Sequence, residues 1–145
     1  MKVISISFVI MLLSLCISCQ INNSKKYLNQ QAPGVQPKIF APGIISTENE
    51  YEFGSVFSEN ADEFYYAVRL NDDWKAEIRY TKVKNGVWCK PERLELDTLY
   101  GYNDPFLSND GNRLYFMSDR PRSGKVKPGD SNLWYIEKSG EKDGS

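Results

Sequence analysis

Trp74, Asp104, Arg120 and Arg122 are the side chains whose type and setting could do chemistry, and that chemistry is binding. Trp74 ends the polar run Asn71-Asp72-Asp73, where an indole can stack on a sugar ring or a partner side chain, or fold over its own hairpin. Arg120 and Arg122, with Lys125 and Lys127, put four cations into one stretch. Such a group can hold a carboxylate or phosphate, or form a solvated, proline-stiffened loop. Asp104 directly precedes Pro105 and could hold a cation or a partner's base, or cap a local turn. Asp119 suits a local role in its own hairpin. The chain has no histidine, which removes Ser-His-Asp and Cys-His nucleophile systems, His-ligated zinc and imidazole bases from it. No metal motif, glycine-rich phosphate loop or G-x-S-x-G occurs, and nothing marks two carboxylates as a pair. Catalysis is therefore not expected, and neither is a cofactor.

The cysteines carry a different chemistry. Lys2 is a short positive start, Val3 to Leu15 is apolar apart from serines, and Cys16-Ile17-Ser18-Cys19 ends the run. It is short for a transmembrane helix and reads as an export signal. A small residue before Cys19 resembles a bacterial lipobox, although Cys16 stands where Leu is usual. The resemblance implies a signal peptide over 1–18 and lipidation at Cys19, leaving Cys89 as a lone thiol without a disulfide partner. A plain secretory signal or membrane anchor is the other reading. Residues 19–38 are rich in Asn, Gln, Ser and Lys and read as a flexible tether. Removal of Lys2 would shift the formal net charge from −1 to −2, so no global field favours nucleic acid.

The elements that position these residues show as an internal repeat. Phe57 to Tyr66 lies over Leu107 to Phe116 at a constant offset, and Glu77 to Tyr80 lies over Asn132 to Tyr135 after an insertion between Arg120 and Asp130. Aromatic residues make up 13% of the chain, dominated by Tyr, which favours strands. In the second copy the spacing predicts strands at Pro105–Ser108, Arg113–Ser118 and Ser131–Lys138, with a tight turn at Asn109–Asn112 in which Gly111 suits positive φ. In the first copy Val87–Leu96 supplies a fourth strand after the Asn85-Gly86 turn, and Pro91 marks it as an edge. Leu114 and Phe116 alternate with Tyr115 and Met117, so the second strand is apolar on both faces. Such a strand needs cover on both sides, which stacked blades or a β-sandwich could give.

Asp104 to Pro121, DPFLSNDGNRLYFMSDRP, resembles the TolB-like, WD40-like β-propeller repeat of bacterial envelope proteins. In that family the turn usually reads Ser-Pro-Asp-Gly. Asn109 replaces the proline here, and the first copy has Glu59-Asn60-Ala61, where Ala61 tolerates positive φ badly and a different turn type is expected. Phe40 to Thr47 also resembles the lead-in before a first blade. The resemblance covers about residues 39–145. It implies an all-β fold of about two four-stranded antiparallel blades. Propellers close with about four to eight blades, so the ring is expected to be incomplete: a fragment of a longer frame, or one of several chains forming a ring as a homo-oligomer.

In such blades the loops before the first strand share a face with those between the second and third. That face would collect 48–52, 100–104, Asn71 to Trp74 and Arg120 to Asp130, with Asp104 near the mouth of the central channel. The resemblance implies a non-catalytic, lipid-anchored module of the bacterial envelope, facing periplasm or exterior and binding a protein or glycan. A fragment of a carbohydrate-active enzyme and a non-functional gene remnant are the competing expectations.

Overall fold

A computed structural model describes residues 26–69, 75–122 and 130–138. The fold is all-β: β1 (Tyr51–Phe57), β2 (Glu63–Arg69), β3 (Ala76–Lys84), β4 (Val87–Trp88), β5 (Glu92–Arg93), β6 (Tyr102–Leu107), β7 (Arg113–Ser118) and β8 (Asn132–Glu137). They form two antiparallel sheets, β1-β2-β3 with β4 and β5 both on the free side of β3, and β6-β7-β8. Val68 of β2 pairs with Glu77 of β3 as Ser118 of β7 pairs with Asn132 of β8, so each repeat copy makes one sheet with the same strand order.

β2 reads Glu-Phe-Tyr-Tyr-Ala-Val-Arg, and its five central residues are all buried. It is the middle strand, so its backbone groups are used on both sides and both faces need cover. Phe64, Tyr66 and Val68 pack against Leu28, Ala41 and Ile45 from the N-terminal segment, with Phe40, Phe57 and Trp88 around them. Tyr65 and Ile78, on the other face, meet Leu107, Leu114 and Phe116 of the second sheet. The order of layers is N-terminal segment, first sheet, second sheet, and the two sheets stack as neighbouring blades do.

The packed body begins earlier than the expected boundary at Ile39. Tyr27–Asn29 is a short left-handed turn, with φ of 51°, 51° and 56°. It places Leu28 at 4% exposure against the first sheet and Tyr27 edge-on to Phe57. Residues 1–18, the expected signal peptide, and Cys19 lie outside the described residues.

The turn expectations divide. Gly111 has φ of 69°, its N–H donates to the Ser108 carbonyl, and the Ser108 N–H donates to the Arg113 carbonyl. Asp110 accepts from the Ser108 hydroxyl and from the Asn112 backbone and side chain, and these bonds hold its pKa down at about 2. A different turn type was expected around Ala61, and the structure corrects this. Ala61 takes φ of 55°, its N–H donates to the Ser58 carbonyl, and the Ser58 N–H donates to the Glu63 carbonyl. A left-handed alanine costs about 1–2 kcal/mol. The methyl is buried, and the carbonyl accepts from the Tyr27 N–H at 3.3 Å, so the docked N-terminal segment offsets that cost. The common element is the serine, since Ser58 and Ser108 each accept from the N–H that opens the next strand.

Asn85 and Gly86 both have positive φ and join β3 to β4 in a two-residue hairpin. The ladder then breaks at Cys89-Lys90-Pro91 and resumes as β5, so the fourth position of the first sheet is a split edge, as Pro91 leads one to expect.

The loop before β1 is fixed by charge. Two Arg79 nitrogens donate to Glu50 at 2.7 and 2.8 Å, and Arg79 Nε donates to Glu77 at 2.7 Å. The Arg79 hydrogen bond holds the Glu50 carboxyl below its ordinary 4.5. A depressed acid stabilises the fold above its unfolded pKa, and that contribution disappears as pH falls through the folded value. Arg79→Met is expected to lose about 1–2 kcal/mol at neutral pH. Wild type and variant should converge in urea unfolding as pH drops below the ordinary glutamate value. A gap that stays constant down to pH about 3 would show that the pair contributes no charge-dependent stability.

Candidate functional site: the loop face

The first strands of both sheets are bulged at equivalent places. Pairing of β1 with β2 shifts between Phe53 and Ser55, and pairing of β6 with β7 shifts between Asn103 and Phe106. The residues in the bulges, Gly54 and Asp104, occupy matching positions in the two copies and have φ of 45° and 50°. They also touch: a Cβ on Gly54 would lie 2.7 Å from Asp104 Oδ1 and 3.0 Å from Asp104 Cα. A bulge adds local twist and re-aims the strand end. Here glycine on one side leaves room for an aspartate in a strained conformation on the other.

This crossing borders a cleft of about 460 Å³ lined by Tyr51, Glu52, Phe53, Arg69, Asn103 and Asp104. The Arg69 guanidinium lies 4.5 Å from the centroid of the exposed Tyr51 ring. Phe53 is partly exposed beside it. Glu52 is committed to the loop, accepting from the Thr47 N–H and hydroxyl. Asp104 is exposed, while the neighbouring Asn103 Oδ1 is buried without a hydrogen-bond partner in the protein. Aromatic faces, a guanidinium and two acceptors therefore meet at the ends of β1, β2 and β6.

Arg120 belongs to a second cluster on the same face. It follows β7, its N–H donates to the Ser118 hydroxyl, and its guanidinium lies 5.7 Å from the Trp134 ring centroid. Trp134 Nε1 and the Tyr102 hydroxyl are buried and unpartnered. Burial, and after it the nearby Asp97 charge, raises the Tyr102 pKa, while Arg120 opposes the shift. Asp119 accepts from the Gly101 N–H at 2.8 Å and so ties the loop before β6 to the end of β7, the local role expected for it. Lys75 donates to the Thr98 carbonyl at 2.6 Å and ties the same loop to the first sheet.

The antiparallel registers place the starts of β1 and β6 beside the ends of β2 and β7, so Asp104 and Arg120 lie on one face. Asp104 sits in a bulge and not in a capped turn. The structure does not merge the two residues into one constellation: Asp104 borders the Arg69 cleft, and Arg120 lies over Trp134. Arg122 is exposed just beyond Arg120. Trp74, Lys125 and Lys127 lie outside the described residues. Tyr51, Phe53, Arg69 and Asn103 were not singled out from sequence. The available signal was the alignment of Gly54 with Asp104 at the repeat offset, with an aromatic on each side of Glu52.

Among the described residues no group of three His, Cys, Asp or Glu could hold a metal ion, and no helix is long and apolar enough to cross a membrane. Fold and site together define an all-β protein of two stacked, blade-like sheets with a mixed aromatic and polar cleft between their first strands. No protein-family model, no curated protein and no solved structure matches the chain.

Proposed function

We propose that this chain is a non-catalytic interaction module of the bacterial envelope, a TolB-like propeller-repeat protein held to a membrane by lipid at Cys19. It binds a protein or glycan through the loop face. The observation that carries this reading is the paired bulge at Gly54 and Asp104, which brings Tyr51, Phe53, Arg69 and Asn103 into one cleft beside it. Strained backbone at a cleft is a recurring mark of binding sites. Asn103, which lines the cleft, carries an acceptor left without a partner in the protein. Of the carboxylates bordering the cleft and the loops around it, Glu50, Glu52 and Asp119 have structural bonds, which favours binding over paired-carboxylate hydrolysis.

The test is capture from envelope extract and from a polysaccharide array. Tyr51→Ala with Phe53→Ala, which removes both rings of the cleft, and separately Trp74→Ala with Arg120→Glu and Arg122→Glu, should each reduce capture by about tenfold or more. Capture equal to wild type would remove the proposed face, and turnover of a polysaccharide would replace binding with catalysis.

A further inference from the structure

Among the described residues the second sheet buries only one of its faces. Leu107, Leu114 and Phe116 point at the first sheet. On the other side Phe106, Leu133 and Tyr135 are 59%, 67% and 57% exposed, and Tyr115 and Met117 are half-buried. These are not scattered positions. Register puts Phe106 opposite Tyr115, Tyr115 opposite Tyr135, and Met117 opposite Leu133, so they form one apolar surface across three strands.

The molecule already shows what such a surface does. The repeat equivalents of Phe106, Tyr115, Leu133 and Tyr135 are Val56, Tyr65, Ile78 and Tyr80, and all four pack in the core between the sheets. The same side of the same unit is thus covered once and open once.

Other faces of the chain limit the occupant. Head-to-tail stacking would need the far face of the first sheet, and Leu28, Ala41 and Ile45 already cover it. Among the described residues, the open side of β6-β7-β8 is the sheet face that a second copy can offer. Its charge suits this pairing: Arg113 and Glu137 lie opposite each other at its margin, 3.5 Å apart, so the face carries one charge of each sign and does not repel itself. The rings of Tyr115 and Tyr135, 5.7 Å apart and tilted by 38°, give it an aromatic centre.

We infer that two copies of this chain dock face to face through the open side of their β6-β7-β8 sheets, across a two-fold axis. An isologous contact of this kind closes at the dimer and leaves no surface for growth. Strands about 4.8 Å apart with a rise of about 3.3 Å give a footprint of roughly 300 Å² per sheet. The roughly 600 Å² covered in total is below what a standard specific interface buries, so the pairing should be weak, with a dissociation constant on the order of 100 µM. The inference does not rest on the loop-face reading, since it uses a different surface.

Sedimentation equilibrium tests it on chain beginning at Gln20, which keeps every described element. Mass should rise from monomer to dimer between about 1 and 500 µM and stop there. Leu133→Glu with Tyr135→Glu places four like charges in the closed interface and should weaken the dimer by about a hundredfold or more. Both side chains are exposed, so the circular dichroism of the variant should match wild type. A monomer over the whole range would overturn the inference. So would species that keep growing, which would mean head-to-tail stacking, and a dimer that survives the double substitution, which would mean pairing along the β8 edge.

Discussion

Gly54→Ala is expected to lose about 3 kcal/mol of stability, a large part of what a domain of this size has. Two terms add. Alanine at φ of 45° costs about 1–2 kcal/mol from backbone sterics alone. The new methyl would also lie 2.7 Å from Asp104 Oδ1 and 3.0 Å from Asp104 Cα, and overpacking of that kind costs about 1–3 kcal/mol. The carboxylate can rotate away, but the Cα belongs to a backbone held by the β6–β7 ladder. Asp104→Gly in the Gly54→Ala background should therefore recover only part of the loss. It removes the side-chain contact and relaxes φ of 50° at position 104, and it leaves the backbone contact. Urea unfolding of the two single variants and the double gives the coupling directly. A Gly54→Ala cost below about 1 kcal/mol would mean that the two bulges do not press on each other.

The second large effect falls between the sheets. Leu114 is fully buried in the cluster shared by Tyr65, Ile78, Tyr102 and Phe116. Truncation of such a leucine costs about 2–5 kcal/mol, the higher end applying where surrounding structure cannot collapse. Rings on both sides resist collapse here, so Leu114→Ala should lose about 4 kcal/mol. Its repeat equivalent Phe64 packs against the N-terminal segment, not against a second sheet. Thermal unfolding followed by tyrosine and tryptophan fluorescence should then show Leu114→Ala loosening both sheets together. A transition confined to β6-β7-β8 would mean that the sheets unfold independently.

Much of the fold was legible because it repeats. β7 occupies the expected Arg113–Ser118, β8 falls within Ser131–Lys138, and the double-sided apolar strand is covered on both faces in its first copy. The errors have physical causes. β6 starts at Tyr102 and not Pro105, because a bulge lets the ladder pass the proline and resume beyond it. Ala61 adopts the turn its side chain disfavours, because Ser58 and the docked Tyr27 fix the backbone around it. Leu28 sits in a polar stretch that looks like a tether, yet one buried leucine and one ring contact secure it. Of the candidate site, the placement of Asp104 and Arg120 on one face was readable from position in the repeat. The cleft itself was not, because it depends on two bulges meeting, and register shifts leave little trace in sequence.

The N-terminal segment also sets how the molecule bears load. Residues 27–46 lie on the first sheet chiefly through side chains, with Tyr27 and Phe40 edge-on to Phe57, while the strands beneath are joined by full ladders. Tension applied ahead of Lys26 therefore acts on the weakest layer first. It peels Leu28 away before it can shear a strand, and in doing so removes the support that holds Ala61 in its strained turn. Under such tension the cover is expected to lift before the two sheets part.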